Sequence, residues 1–350
     1  MSERRETLLR LVQDETGRIT DVKVEQQPVP APKLLTVIEL RPETKETYLN
    51  NLTEGSVVDW GDGERSVVSA DEAAEEVVRH TYADTSTTNR VVTIDGVIDR
   101  TEESGVSAFD PYALVAIQSL GELRGEAKDL FLDCCLRTIP QGLFDHLTAV
   151  TDFSECFARC HGLRSIPEGL FANCTAVTDF SRCFQECSSL NSIPEGLFAN
   201  CTAVTDFSYC FERCSDLTSV PEGLFANCTA VTDFSYCFSF CYKLTSIPEG
   251  LFTNCTAATN FFNCFGNCSS LTAIPAGVFD NCTAVTDFGH CFNSCSSLTG
   301  ETPYTMVNGK KVKLWERSTE NGFSKVTEHN YCFRLSTGLS DYEEIPDGWK

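Results

Sequence analysis

The chain has 350 residues and a formal net charge of -23, an excess of carboxylates that repels nucleic-acid backbones and anionic membranes and so disfavours both as partners. Its length allows two or three domains, and no apolar run approaches the roughly 20 residues of a membrane span. The opening MSERRETLLRLVQDETGR lacks an apolar h-region and a small-residue cleavage site, so no secretion signal is expected.

Residues 1–32 read as an attachment segment. Leu8, Leu9, Leu11 and Val12 would line one side of a short helix, a place where copies of the chain could associate. QQPVPAPK comes next as a Pro-rich, extended linker. Residues 33–100 read as a small β-domain, with strands expected in LLTVIEL, SVVDW, VVRHTY and RVVTIDGVI and turn residues between them. SVVDW runs into the tight turn Gly61-Asp62-Gly63. There Asp59 and Asp62 have two uses, capping the turn amides or holding a calcium ion. Residues 101–135 are the expected N-terminal cap of a repeat array. ALVAIQSL is a strand, and DLFLDCC imitates the end of a repeat.

From residue 136 to 297 a 27-residue unit repeats six times without insertion, with prolines at Pro140, Pro167, Pro194, Pro221, Pro248 and Pro275. A period this strict predicts a solenoid with one coil per unit. Leu-Thr-Ser-Ile and Ala-Val-Thr-Asp-Phe alternate with period two and predict short strands. Gly-Leu-Phe-Ala-Asn-Cys and Tyr-Cys-Phe-x-x-Cys suit single helical turns, and proline forces the corner after the first strand. Seventeen of the twenty cysteines occupy three repeat positions, typified by Cys201, Cys210 and Cys214. Leu147 takes the first of these positions in the first repeat, an exchange natural for a buried thiol and not for half a disulfide. Reduced core thiols are therefore expected. The C-x3-C pair lacks a recurring third ligand for zinc.

Two polar columns accompany the cysteines. Asp152, Asp179, Asp206, Asp233, Asn260 and Asp287 precede helical turns and would cap them, or would hold a cation or a basic partner. Asn173, Asn200, Asn227, Asn254 and Asn281 head N-C-T, a glycosylation sequon that also suits an inward asparagine ladder. Variation concentrates elsewhere. The residue before the second-column cysteine runs Glu155, Arg182, Tyr209, Tyr236, Asn263, His290. The pair inside C-F-x-x-C varies as freely, from Ala158-Arg159 to Asn293-Ser294. These positions should lie on one outward edge, where the middle coils gather Tyr209, Arg213, Tyr236, Phe240, Tyr242 and Lys243, a set suited to recognising protein or glycan.

Residues 298–350 break and close the array. YTMVNGKKVKLW predicts a hairpin through a type I′ Asn-Gly turn, and Tyr331-Cys332-Phe333 with Glu344-Ile345-Pro346 revives the repeat as a final capping coil.

Two resemblances are carried by these motifs. Trp60-Gly61-Asp62-Gly63, His80-Thr81-Tyr82 and Val91-Val92-Thr93-Ile94 resemble the signature of PKD-type β-sandwiches. Leu217-Thr218-Ser219-Val220-Pro221 with Phe211-Glu212-Arg213-Cys214 resembles the leucine-rich repeats of the BspA-like family, although the unit is longer than usual. Together they imply a mainly β chain with short helices: a PKD-like sandwich, then a leucine-rich-repeat solenoid of 27-residue coils. Such chains are typical of gut anaerobic bacteria and their phages, as surface or adhesive proteins without catalytic residues. The five histidines are scattered and no P-loop, G-x-S-x-G or H-E-x-x-H occurs, so no enzyme and no cofactor are expected. The expected role is adhesin-like binding of a host surface protein or glycan by a phage virion or tail-associated protein, made in the cytoplasm and released by lysis. The rivals are an assembly protein contacting neighbouring virion proteins and a bacterial cell-surface adhesin.

Overall fold

The computed structural model describes residues 5–13, 19–28, 33–83, 86–101 and 106–350. These form two compact units, Met1–Leu34 and Leu35–Lys350.

In the first unit, β1 (Arg5–Gln13) and β2 (Ile19–Pro28) pair antiparallel, with Leu9 opposite Val24 and Leu11 opposite Val22. This corrects the helix expected around Leu8–Val12. The deciding signal lies downstream, where Val22-Lys23-Val24-Glu25 alternates with period two and is rich in β-branched residues. A strand there offers residues 5–13 a ladder partner that a lone helix would lack. The front of the expected linker, Gln26–Pro28, belongs to β2; residues 29–32 lie outside the described residues.

The second unit opens with β3 (Thr36–Leu40), β4 (Glu46–Asn50), β5 (Val57–Asp59), β6 (Arg65–Val67), the short helix α1 (Ala70–Ala74), β7 (Val77–Thr81), β8 (Arg90–Asp95), β9 (Val97–Arg100), β10 (Leu114–Ser119) and β11 (Glu122–Gly125). One sheet has the order β10-β3-β8-β5-β6. β4 pairs with β7, and β9 pairs parallel with β11. Ile38 and Leu40, Val92 and Ile94, and Val58 all alternate into the core, as a half-covered antiparallel sheet requires.

Trp60, fully buried, stacks on His80 at 4.6 Å, and His80 meets Tyr82 edge-on at 4.5 Å. The Tyr82 hydroxyl donates to the Trp60 carbonyl at 3.2 Å. Gly61 is obligatory in this turn: φ is +77°, and a Cβ would sit 2.3 Å from the Val91 carbonyl oxygen. Both turn carboxylates are engaged. Asp59 accepts from the Gly61 amide and from Arg65. Asp62 accepts from the Glu64 amide and meets His80 Nε2 at 2.8 Å.

From Ala127 onward the chain stacks in coils. Parallel bridges run Asp152, Asp179, Asp206, Asp233, Asn260, Asp287, Glu328. The expected strands shrink to these single bridges and the one between Ser165 and Ser192, because the first run of each repeat ends at a proline corner and the second at the turn its aspartate makes with the amide two residues on. The stacking ladder forms instead where helical turns were expected. The amides of Phe207, Tyr209, Phe211 and Arg213 donate to the next coil's Asp233, Ser235, Cys237 and Ser239 carbonyls at 3.0, 2.8, 2.9 and 2.8 Å. The amides between them, of Cys210, Glu212 and Cys214, close tight turns within the coil. A second set runs the other way, the amides of Thr205 and Thr232 donating to the preceding coil's Thr178 and Thr205 carbonyls at 2.9 Å, so each coil is bonded to both neighbours.

This path puts two residues per coil at positive φ. The pairs are Asp129/Asp133, Glu155/Arg159, Arg182/Glu186, Tyr209/Arg213, Tyr236/Phe240, Asn263/Asn267, His290/Ser294 and Tyr331/Leu335. None is Val, Ile or Thr, whose branched Cβ is least compatible with this region.

The core is a set of phenylalanine columns. Phe109 stacks on Phe131 at 5.3 Å, and the column continues through Phe157, Phe184, Phe211, Phe238, Phe265 and Phe292 to Phe333. Because Phe109 precedes β10, one ring column ties the β-sheet region to the last coil. All twenty cysteines are unpaired, and burial pushes most of their thiols upward, those of Cys174 and Cys228 to about 12. The third column also bonds. Cys160, Cys187, Cys214, Cys241, Cys268 and Cys295 each donate Sγ–H to a phenylalanine carbonyl of the preceding coil, at 3.1–3.3 Å. In the last coil Ser336 takes this place and donates to Phe292 at 2.7 Å.

The array closes through β12 (Tyr304–Val307) and β13 (Lys310–Lys313), joined by Asn308 and Gly309 at φ 50° and 77°, a type I′ turn. Buried Lys313 pairs with Asp341 at 2.6 Å and Glu301 at 2.7 Å. Buried Arg317 donates to the Phe279 and Cys282 carbonyls at 2.8 and 3.0 Å. The Phe333 amide is taken by the Trp349 carbonyl.

Candidate binding face

The variable positions divide in two. The positive-φ columns lie mostly outward, with Asp129 and Asn263 the buried exceptions, whereas the position between them faces in: Ala158, Glu212 and Ser239 are buried. Ser239 donates to the Gly266 carbonyl at 3.1 Å and accepts from Asn263 at 3.0 Å, so it is no surface residue.

Along the first outward column, Arg182 lies over the Tyr209 ring at 4.8 Å. Tyr209 stacks on Tyr236 at 4.3 Å and 8°. Tyr236 leads to Phe262 at 5.4 Å, Phe262 to His290 at 5.3 Å, and His290 to Tyr331 at 5.3 Å. Arg334 covers the far end, 5.3 Å from the Tyr331 ring. Along the second column Arg213 lies 4.4 Å over Phe240, which meets Tyr242 edge-on at 6.1 Å. Tyr209, Tyr236 and Phe240 are half-buried by this mutual stacking, while Arg213, Tyr242 and Lys243 are exposed.

The structure thus brings Tyr209 together with Tyr236, and Arg213 with Phe240 and Tyr242. Lys243 stands apart from the rings, paired with Asp216 at 2.7 Å. Arg182, Phe262, His290, Tyr331 and Arg334 complete the strip. Arg182 and His290 belong to the variable column of the sequence; two further signals mark Phe262, which interrupts a column of Ser154, Ser181, Ser208 and Ser235, and Tyr331, which precedes Cys332 as Tyr209 precedes Cys210.

Four cations of this face lie beside carboxylates. Arg159 pairs with Glu186, Arg182 with Glu155, Arg213 with Glu212 and Lys243 with Asp216. Exposed Glu168, Glu195, Glu222 and Glu249 beside the repeat prolines contribute to the chain's large negative charge.

The two polar columns are structural. Each Asp-column side chain accepts from the amide two residues on, at 2.7–2.9 Å, an Asx turn rather than a helix cap. Burial, with the repulsion of the stacked carboxylates, raises the pKa of Asp206. Asn260 relieves that repulsion by donating to Asp233 at 3.1 Å. The Asn column forms a ladder, each side chain donating to a carbonyl of the preceding coil at 2.6–3.0 Å. It lies on the exposed side, not inward, because the N-C-T corner turns its cysteine into the core. Among the described residues, no group of three His, Cys, Asp or Glu side chains converges to hold a metal.

No protein-family model matches this sequence, and no curated protein matches it. Among solved structures, a leucine-rich cell surface protein from Faecalibacterium prausnitzii A2-165 aligns over 70% of this chain and 89% of its own, at 14% identity and a TM-score of 0.14. TLR13 in its complex with ssRNA13 aligns over 69% of this chain and 56% of its own, at 12% identity and a TM-score of 0.11.

Proposed function

We propose that this chain is a non-enzymatic, adhesin-like binding protein, a PKD-like sandwich carrying a leucine-rich-repeat solenoid whose aromatic edge meets a partner. The observation that carries the reading is the strip from Arg182 to Arg334, a run of stacked rings and guanidinium groups on the surface of a strongly acidic chain. The core needs none of it, since the phenylalanine columns pack without it. Tyr, Phe and Arg are the residue types that protein interfaces concentrate. The working location is a phage particle or its tail, facing the host. Twenty unpaired cysteines suit folding in a reducing cytoplasm before release.

The test is a quadruple variant, Tyr209→Ala, Tyr236→Ala, Phe240→Ala and Tyr242→Ala. It should keep its circular dichroism and lose binding to host cells at least tenfold. Unchanged binding by the folded variant would overturn the assignment of this face and favour a particle-assembly role.

A further inference from the structure

We infer that the β1–β2 hairpin joins two copies of this chain, β2 pairing antiparallel with the β2 of a second copy about a two-fold axis at Val24. A ribbon of two strands is marginally stable at best in water, and independent stability takes three or more strands with an apolar face. β1 and β2 are the longest described strands, nine and ten residues, and among the described residues neither pairs with a third strand. Their register places Leu9, Leu11, Val22 and Val24 at positions of one face.

Charge selects a second copy as the occupant of the free edge. Residues 1–34 contain six basic and six acidic residues, so the net charge of -23 resides entirely in residues 35–350. Two copies repel one another through that part and not through the hairpin. Within the hairpin, Arg10 stands directly opposite Lys23, a like-charge pairing that weakens a ladder. Arg10 has Asp21 and Glu25 diagonally across from it, whereas Lys23 has Leu8 and Val12. The register thus offers Lys23 no carboxylate across β1. The other edge of β2 offers one, because the run Asp21-Val22-Lys23-Val24-Glu25 is self-complementary. Pairing about Val24 sets each Lys23 opposite the second copy's Glu25 and matches residues 20–28 along their whole length. The four aliphatic positions of each copy then share one side of a four-stranded sheet. Two solenoids on one stem also gain avidity for a surface that repeats its ligand.

The experiment is sedimentation velocity of the full chain over a concentration series under reducing conditions. The unaltered chain should be in equilibrium between monomer and dimer, with the dimer dominant at the upper end of the series. Lys23→Glu should raise the dissociation constant at least tenfold, since it sets carboxylates against carboxylates between copies. Within the hairpin the same change gives Arg10 an opposite charge to face and favours the ribbon, so the loss would not come from an unfolded hairpin. Adding Glu25→Lys to Lys23→Glu exchanges the two charges and should return the constant to within threefold of the original. A chain that stays monomeric, or that forms a trimer, overturns the inference. So does a dissociation constant unmoved by Lys23→Glu, or one that the added Glu25→Lys does not restore.

Discussion

Cys183 and Cys187 lie in one coil and neither has exposed surface, so the same substitution at each isolates a single variable. Cys187 donates to the Phe157 carbonyl at 3.2 Å, whereas Cys183 makes no side-chain hydrogen bond among the described residues. Cys187→Ser replaces a weak donor by a stronger one aimed at the same acceptor. Ser336 already does this in the last coil, at 2.7 Å. That hydroxyl bond offsets most of the added polarity, so the net change should stay within about 1 kcal/mol. Cys183→Ser buries a hydroxyl with no partner, a cost of about 1–3 kcal/mol. The two variants should therefore differ by about 1–2 kcal/mol, with Cys187→Ser the more stable. Urea unfolding followed by circular dichroism under reducing conditions reads the difference from midpoints, provided the slopes agree. Equal losses, or a larger loss at Cys187, would refute the claim that the third cysteine column works as a row of donors.

Native protein should react with a thiol reagent at Cys135 alone, the one half-exposed cysteine, and denatured protein at all twenty; disulfides trapped under thiol-blocking conditions would contradict this. Phe211→Ala should cost about 3–5 kcal/mol, and Ser239→Ala about 1–3 kcal/mol because it strips a bond from Asn263 and one to Gly266; a Ser239 loss within the scatter of exposed sites would misplace that column. Asp129 has its carboxyl pKa raised to about 6 from an ordinary 3.8, by burial first and then by Glu155, against the pull of Arg100. The folded chain thus binds this proton more tightly than the unfolded chain does. Stability from this group falls as pH rises through about 6 and is regained as pH drops toward about 4. Asp129→Asn should raise the melting temperature near neutral pH and flatten that dependence, helped by asparagine's tolerance of the φ of 56° found there; an unchanged slope would exclude Asp129 as its source.

The amino-acid sequence alone determined the period, the inward columns and the thiol state. An apolar residue that recurs every 27 positions has only one way to be buried repeatedly, and Leu147 in a cysteine column shows what that column's environment is. The Asn308-Gly309 turn was equally legible, because two consecutive positive φ values select those residues locally. Two other features depended on partners distant in sequence. Residues Arg5–Gln13 are a strand because Ile19–Pro28 pairs with them, which no helical spacing around Leu8 reveals. The backbone between Phe207 and Cys214 has the apolar spacing of a helical turn, yet its alternate amides bond to the next coil. A helix would spend those donors internally and leave the coils unlinked. That choice puts two residues per coil at positive φ, turns Ser239 inward and stacks Tyr209 on Tyr236. The face offered to a partner was thus decided by hydrogen bonds between coils, whose partners are a whole repeat apart.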